Sequence, residues 1–276
     1  MPIATIPESL RHHALARELA TAIDAAEQAA QIIRHYYAAG VAVETKADDT
    51  PVTRADVESE QAIRKVLETA FPDDGFHGEE TGEARREAQR TWLIDPIDGT
   101  KSFVRRYPFF STQIALEQNG ELVLGLSNAP CFGADGEHSF AIKGGGAYWQ
   151  QEHASVSDTR SLARATLSLG NLASLSRHPA WTRLADVVNQ VHRVRGYGDF
   201  YHYHLLARGA IDLVIESDLN ILDIAALTVI VREAGGVMTA LDGGPITRDT
   251  RDVLAAATPE LHHEICEALA WTRSTR

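Results

Sequence analysis

Apolar residues recur at helical spacing near the start of the chain. Leu15, Leu19, Ile23, Ala26, Ala30 and Ile33 fall three or four positions apart, which predicts one long helix from about Ser9 to about Ala39. Ser9 stands at its N-cap and Gly40 just past its end. A second helix is predicted over about 57–70 (VESEQAIRKVLETA), stopped by Phe71-Pro72. The stretch between them, ETKADDTPVTRAD, is polar, and Pro51 interrupts any period, so it reads as loop. Residues 73–90 (DDGFHGEETGEARREAQR) read as loop and charged segment. The period then changes. TWLID, 91–95, is a short strand leading Asp95 to a sheet's edge. FFSTQIALEQNGELVLGLSNAP reads as a hairpin turning at Asn119-Gly120, a strong turn pair. HSFAIKGGGAYWQ reads as another, turning at Gly144-Gly145-Gly146.

Beyond about residue 160 strands and helices alternate. TLSLGNL, HRVRGYG, AIDLVIES, VMTAL and DVLAAA read as strands. PAWTRLADVVNQV, DFYHYHLLARG, LDIAALTVIVREAGG and a last segment from Pro259 read as helices. Hairpins in front and alternation behind predict an α/β (α+β) fold of layered sheets and helices. No Pro-, Gly- or Ser-rich linker and no internal repeat divides the chain. It therefore reads as a single domain over 1–276, with halves meeting at about residue 157.

Composition narrows the function. The 276 residues are 44% hydrophobic and 23% charged, with a net charge of −12. Binding to nucleic acid or an anionic membrane rests on basic patches, so this balance argues against both. A phosphorylated substrate stays open if a metal supplies positive charge. Cys131 and Cys266 are too few for a disulfide framework and suit a reducing, cytoplasmic compartment. The opening MPIATIPESLRHH lacks the apolar core of a signal peptide. No run reaches the ~18 apolar residues of a membrane span.

Acids cluster where elements begin or end: Asp56 in TRAD, Glu79-Glu80 in GEE, Asp95 and Asp98 in DPIDGT, and Asp223 in LDIAA. Each has an ordinary reading. Asp56 caps the second helix, Glu79-Glu80 is solvated charge, Asp95 and Asp98 are turn residues, and Asp223 suits a helix's first turn. Together they suit a hard cation, since Mg²⁺ takes oxygen ligands at about 2.0–2.1 Å and shares them with phosphate. Asp95-Pro96-Ile97-Asp98 offers two carboxylates and the Ile97 carbonyl. Pro96 stiffens the turn and withholds a donor that a metal cannot use. Gly99-Thr100 offers backbone N–H groups and a hydroxyl to phosphate oxygens. The set suits two-metal phosphoester hydrolysis.

These stretches resemble the signatures of the inositol monophosphatase family. TPVTRAD, GEE, WLIDPIDGTKSF and LDIAALTVIVREAGG stand in that family's order over nearly the whole chain. The resemblance implies a layered α-β-α-β-α sandwich, dependence on two to three Mg²⁺ ions, inhibition by Li⁺ and a homodimer. It implies Glu79, Asp95 and the Ile97 carbonyl as ligands of one metal, and Asp95, Asp98 and Asp223 as ligands of a second. Asp56 and Glu80 would support a weaker third ion or hold the ligands. Thr100 with Glu79 would orient and deprotonate the attacking water. Ile97, Gly99, Thr100 and Asp223 would lie against phosphate and substrate, with Lys46 on a loop above. Leu222 departs from the Trp usual before this aspartate, which alters packing and no ligand.

The leaving group is read from RGYGDFYHYHLLARGAIDLVIESDLNILD. Glu216 precedes Asp223 by seven residues and Asp199 precedes Glu216 by seventeen. In the family that glutamate faces the organic part of the substrate, and an added carboxylate at 199 suits a cation. G-Y-G-D-x-Y-x-Y also resembles the histidinol-phosphatase branch. Asp199 equally suits a helix N-cap. His202 and His204 read as helix surface and packing, since these metals favour oxygen. L-Histidinol phosphate is thus the first expectation. Inositol-1-phosphate or other polyol phosphates come next, then 3′-phosphoadenosine 5′-phosphate. A non-catalytic metal- or phosphate-binding regulator is the alternative from another class.

Overall fold

The helical period of the N-terminal segment forms α1 (Ala16–Ala39), whose face of Leu19, Ala22, Ile23, Ala26 and Ile33 is buried, and Gly40 ends it. The computed structural model describes residues 6–40, 43–45 and 51–272. The helix starts later than its period suggests. A short 3₁₀ turn (Glu8–Leu10) comes first, and the Ser9 hydroxyl bonds Tyr148 Oη at 2.8 Å instead of capping. The polar segment read as loop holds two short antiparallel strands, β1 (Val43–Thr45) and β2 (Pro51–Thr53). Pro51 opens β2, a position where a strand tolerates proline.

Helix α2 (Arg54–Ala70) is launched by a capping box. Thr53 accepts from the helix's first N–H groups, and Asp56 accepts from Thr53 N at 2.8 Å. Asp56 therefore sits one turn inside the helix. The segment 73–90 is not all loop, for it contributes β3 (Gly75–Gly78) and β4 (Gly82–Ala84). β5 (Arg90–Asp98) follows, then a one-turn helix α3 (Thr100–Val104). β6 (Ser111–Gln118), β7 (Glu121–Ala129), β8 (Glu137–Ile142), β9 (Gly146–Trp149) and β10 (Glu152–Ala154) complete an eight-stranded sheet. Its order is β10-β9-β8-β7-β6-β5-β3-β4. Asn119 (φ 53°) and Gly120 (φ 78°) make the expected hairpin turn. β5 lies inside the sheet, between β6 and β3, and not at its edge.

Alternate residues of these strands divide between two faces. Trp92, Ile94, Ile114, Leu116, Leu124, Leu126, Phe140 and Ile142 pack on α1 and α2. The other face carries a cross-strand row of small residues, Ala115, Gly125, Ala141 and Ala147.

The remaining elements are β11 (Thr166–Leu169), α4 (Leu172–Leu175), α5 (Trp181–Gln190), β12 (Arg193–Arg195), α6 (Asp199–Ala207), β13 (Leu213–Ser217), α7 (Ile221–Glu233), β14 (Val237–Ala240), β15 (Asp252–Ala256) and α8 (Pro259–Leu269). Five strands form a mixed sheet ordered β12-β11-β13-β15-β14, parallel at β12-β11-β13 and antiparallel beyond. Leu167, Leu213, Ile215 and Leu254 pack on α5 and α8. The chain divides into two units, Met1–His153 with Leu222–Ile230, and Ala154–Ile221 with Val231–Arg276. Each pairs a sheet with helices in an α/β layered fold. No helix of the described residues is long and apolar enough to cross a membrane.

Candidate active site

Strand pairing explains why GEE meets DPID. β3 runs parallel to β5 with Gly78 opposite Ile94, so the next residues, Glu79 and Asp95, come side by side where β3 ends. Glu79 N–H donates to the Ile94 carbonyl at 3.2 Å and holds that register. Past Asp95 the pairing with β6 slips: Asp95 faces Gln113, but Asp98 faces Ser111. This bulge turns the chain, and Ile97 N–H closes onto Asp95 Oδ1 at 3.0 Å. Thr112 Oγ1 donates to the Pro96 carbonyl at 2.8 Å. Gly99 follows at φ 93°, where a Cβ would lie 2.7 Å from the Phe109 carbonyl oxygen, so only glycine fits. Phe103, buried with Phe110 and packed against the half-buried Tyr37, anchors the α3 turn.

The third acid arrives on α7. A Cβ on Gly125 would meet the Ala226 carbonyl oxygen at 2.2 Å, so the helix backbone rests on the small-residue row of the sheet. Such an approach needs small residues on both sides, which is what D-I-A-A supplies. One turn before Ala226, Asp223 joins Asp95 and Asp98, and one carboxylate oxygen of each lies within 4.8 Å of the others.

The electrostatics are those of crowded negative charge. Asp95 is 3% exposed. Burial, then the charges of Glu79, Asp98, Asp223 and Asp56, push its carboxyl well above the usual range. Burial also raises Asp56, with Glu79 adding and the hydrogen bonds from Thr53 opposing. A divalent cation of the oxygen-preferring class would relieve this repulsion, and carboxylates with a free carbonyl lone pair are its donor set. The residues present fit Mg²⁺. The Thr100 hydroxyl lies 3.1 Å from the Ile97 carbonyl and 3.3 Å from Asp56 Oδ1. Thr100 thus bonds Asp56, while Glu79 joins the group through its effect on Asp95 and Asp56. Lys46 lies outside the described residues.

Sequence reading passed over Glu60. It lies four residues after Asp56 on α2 and is fully buried. Its carboxylate accepts from Glu80 N–H at 2.7 Å, from Thr81 N–H at 2.9 Å and from the Thr81 hydroxyl. It thereby holds the turn that carries Glu79 and Glu80. The available signal was the spacing of Asp56, Glu60 and Ile63 on one helical face.

The second unit holds the other predicted acids. The N-cap of α6 is Gly198, with no side-chain cap bond, so Asp199 is the first helical residue (φ 48°) and not the cap. Burial, followed by the charge of Glu216, pushes its carboxyl to about 6, and His202 opposes the rise. Glu216, on β13, is buried and accepts from His202 Nε2 and Tyr203 Oη, each at 2.9 Å. His202 and His204 are fully buried and not surface residues, because α6 is buried on nearly all sides, with Phe200, Tyr203, Leu205, Leu206 and Ala207 buried beside them.

This chain resembles known proteins. The inositol monophosphatase family matches residues 15–272. A histidinol-phosphatase of Streptomyces coelicolor is 38% identical over 269 residues, covering 94% of this chain and 97% of the relative. One from Mycobacterium tuberculosis is 38% identical over 232 residues, covering 82% and 88%. The solved structure of an inositol monophosphatase from Zymomonas mobilis superposes with a TM-score of 0.82 at 32% identity, covering 94% of this chain and all of that one. With the match taking in both the carboxylate turn and the helix that brings Asp223 to it, the chain belongs to the inositol monophosphatase family and is a phosphoric monoester hydrolase.

Proposed function

We propose that this enzyme hydrolyses L-histidinol phosphate to L-histidinol and phosphate, using Mg²⁺ held by the acids of the first unit. The observation that carries the metal reading is Asp95, buried among four other carboxylates. Glu79, Asp95 and the Ile97 carbonyl would hold one ion, and Asp95, Asp98 and Asp223 a second. Asp56 and Glu80 back a weaker third. Bound Mg²⁺ supplies an acidified water and stabilises the charge that develops on the leaving oxygen. Thr100 and Glu79 would orient the attacking water and take its proton, with Asp56 beside the Thr100 hydroxyl. Backbone N–H groups at Gly99 and Thr100 hold phosphate oxygens, which the first turn of a helix leaves without intrahelical acceptors. Lys46 is the basic residue assigned to the substrate.

Two things support the substrate. Relatives named histidinol-phosphatase match at 38% identity over most of the chain. Asp199 and Glu216 form an acid pair suited to a leaving group that bears an ammonium and an imidazole. The family likeness extends the reading to a Li⁺-sensitive homodimer in the cytoplasm, serving histidine biosynthesis. Light scattering and Li⁺ titration test the first two.

The deciding experiment compares phosphate release from L-histidinol phosphate, inositol-1-phosphate and 3′-phosphoadenosine 5′-phosphate with Mg²⁺. L-Histidinol phosphate is expected to be hydrolysed most efficiently. A clear preference for inositol-1-phosphate would replace this substrate with a polyol phosphate. No release from any would favour a binding protein.

A further inference from the structure

A buried carboxylate is stable only where partners satisfy it, and the partners decide which way it points. Glu216 is 3% exposed. Its Oε2 takes both donors, His202 Nε2 and Tyr203 Oη. Its Oε1 lies against Gly170, where a Cβ would be 2.1 Å away, so glycine there makes room for the carboxylate. His202 is held in turn. Its Nδ1 lies 3.2 Å from Ser168 Oγ, and that oxygen accepts the Tyr197 N–H at 3.2 Å. With Ser168 donating to Nδ1, the ring carries its proton on Nε2 and presents it to Glu216. A chain of bonds thus runs from Tyr197, beside Asp199, through Ser168 and His202 to Glu216. Asp199 and His202 are three residues apart on one face of α6.

We propose that His202 is a positioning residue that sets specificity: it holds Glu216 so that the Asp199–Glu216 pair presents its negative charge to a cationic leaving group. The proposal rests on the L-histidinol phosphate reading. Glu216 is one half of that pair, and its orientation comes from His202 and Tyr203. The charge of Glu216 acts on the Asp199 carboxyl, His202 opposes that effect, and the same imidazole bonds Glu216. Removing the imidazole donor therefore changes how the pair meets a cation. It leaves the phosphate-handling acids of the first unit untouched.

The test measures kcat and KM of the Mg²⁺-loaded enzyme on L-histidinol phosphate and on inositol-1-phosphate, whose leaving group is neutral. Three variants are compared with the parent. H202N is too short to reach Glu216, H202Q keeps an N–H donor near the Nε2 position, and Y203F removes the second donor while keeping the ring. H202N is expected to raise KM for L-histidinol phosphate about tenfold, the scale of one hydrogen bond to a charged group. Its kcat, and both constants for inositol-1-phosphate, should stay within about threefold. H202Q should recover most of the loss, and Y203F should lose about threefold in the same direction. Parallel losses on both substrates in folded H202N would overturn the proposal and leave a structural ion pair. So would a KM in H202N equal to that of H202Q. If H202N does not fold, Y203F decides, and an unchanged substrate ratio there overturns it. A parent enzyme without preference for the cationic substrate sinks the substrate reading and this inference together. A parent that prefers it, with variants that keep its ratio, sinks this inference alone.

Discussion

Asp95 in the first unit and Glu216 in the second are both carboxylates that the fold removes from water, each 3% exposed, yet their surroundings are opposite. Asp95 is surrounded by like charge, from Glu79, Asp98, Asp223 and Asp56, and its one described donor is the N–H of Ile97. Glu216 has an imidazole and a phenol directed at it. In the second unit the protein itself supplies the compensation. In the first, like charge prevails around Asp95, and a bound cation would relieve it. Asp199 lies between the two cases, raised to about 6 by burial and by Glu216, with His202 as a partial counterweight.

The contrast is broken most sharply at Asp98. D98N keeps the shape of the turn and removes a charge from the cluster. Its kcat/KM is expected to fall by more than about 100-fold, beyond the range for residues that only support ligands, and Mg²⁺ binding by calorimetry should weaken with it. Near-normal turnover would move the chemistry elsewhere. Next comes E60Q, since an amide cannot accept three hydrogen bonds on two oxygens. Mg²⁺ affinity should drop about 10- to 100-fold with the substrate ratio preserved. An unchanged metal titration would reduce Glu60 to packing.

D199N should cost about tenfold in kcat/KM on L-histidinol phosphate and little on inositol-1-phosphate. In the parent, KM for the cationic substrate should decrease as pH rises through about 6, where Asp199 ionises, and D199N should lack that step. Equal losses on both substrates would remove Asp199 from leaving-group recognition. The smallest effect is on stability. The Asp199 carboxyl titrates at about 6 in the fold against 3.8 as its ordinary value, so the folded chain binds the extra proton between them. Stability therefore declines as pH rises through that window and stays lower above it. Thermal melts should show D199N more stable than the parent at pH 8, with the gap closing below about pH 4. A variant that is less stable at pH 8 would mean that Asp199 serves the helix after all.

Much of the fold was legible because burial of one face leaves a period in the chain. α1, α2 and the hairpin at Asn119-Gly120 follow directly from it. β3 and β4 did not, since Gly75–Gly78 and Gly82–Ala84 are short, and their partners lie on other strands. Glu60 escaped because an acid on a helix reads as solvated until its three donors are seen. His202 and His204 read as helix surface and packing, and only the packing holds, because an aromatic, histidine-rich helix has no marked polar face to say which side is buried.

The sequence by itself determined the kinds of donor and their order along the chain: GEE, DPIDGT and D-x-A-A, with acids in excess of bases. It also determined the glycine at 99 and the small residues at 125 and 226 that permit close approach. Only the tertiary structure decided which acids meet. Parallel pairing of β3 and β5 sets Glu79 beside Asp95, and the seating of α7 on Gly125 brings Asp223 within 4.8 Å of Asp95 and Asp98. Periodicity records which face of an element is buried. The field at a carboxylate depends on neighbours that pairing and packing bring from elsewhere in the chain, and that field separates Asp95, which calls for a cation, from Glu216, which has its partners already.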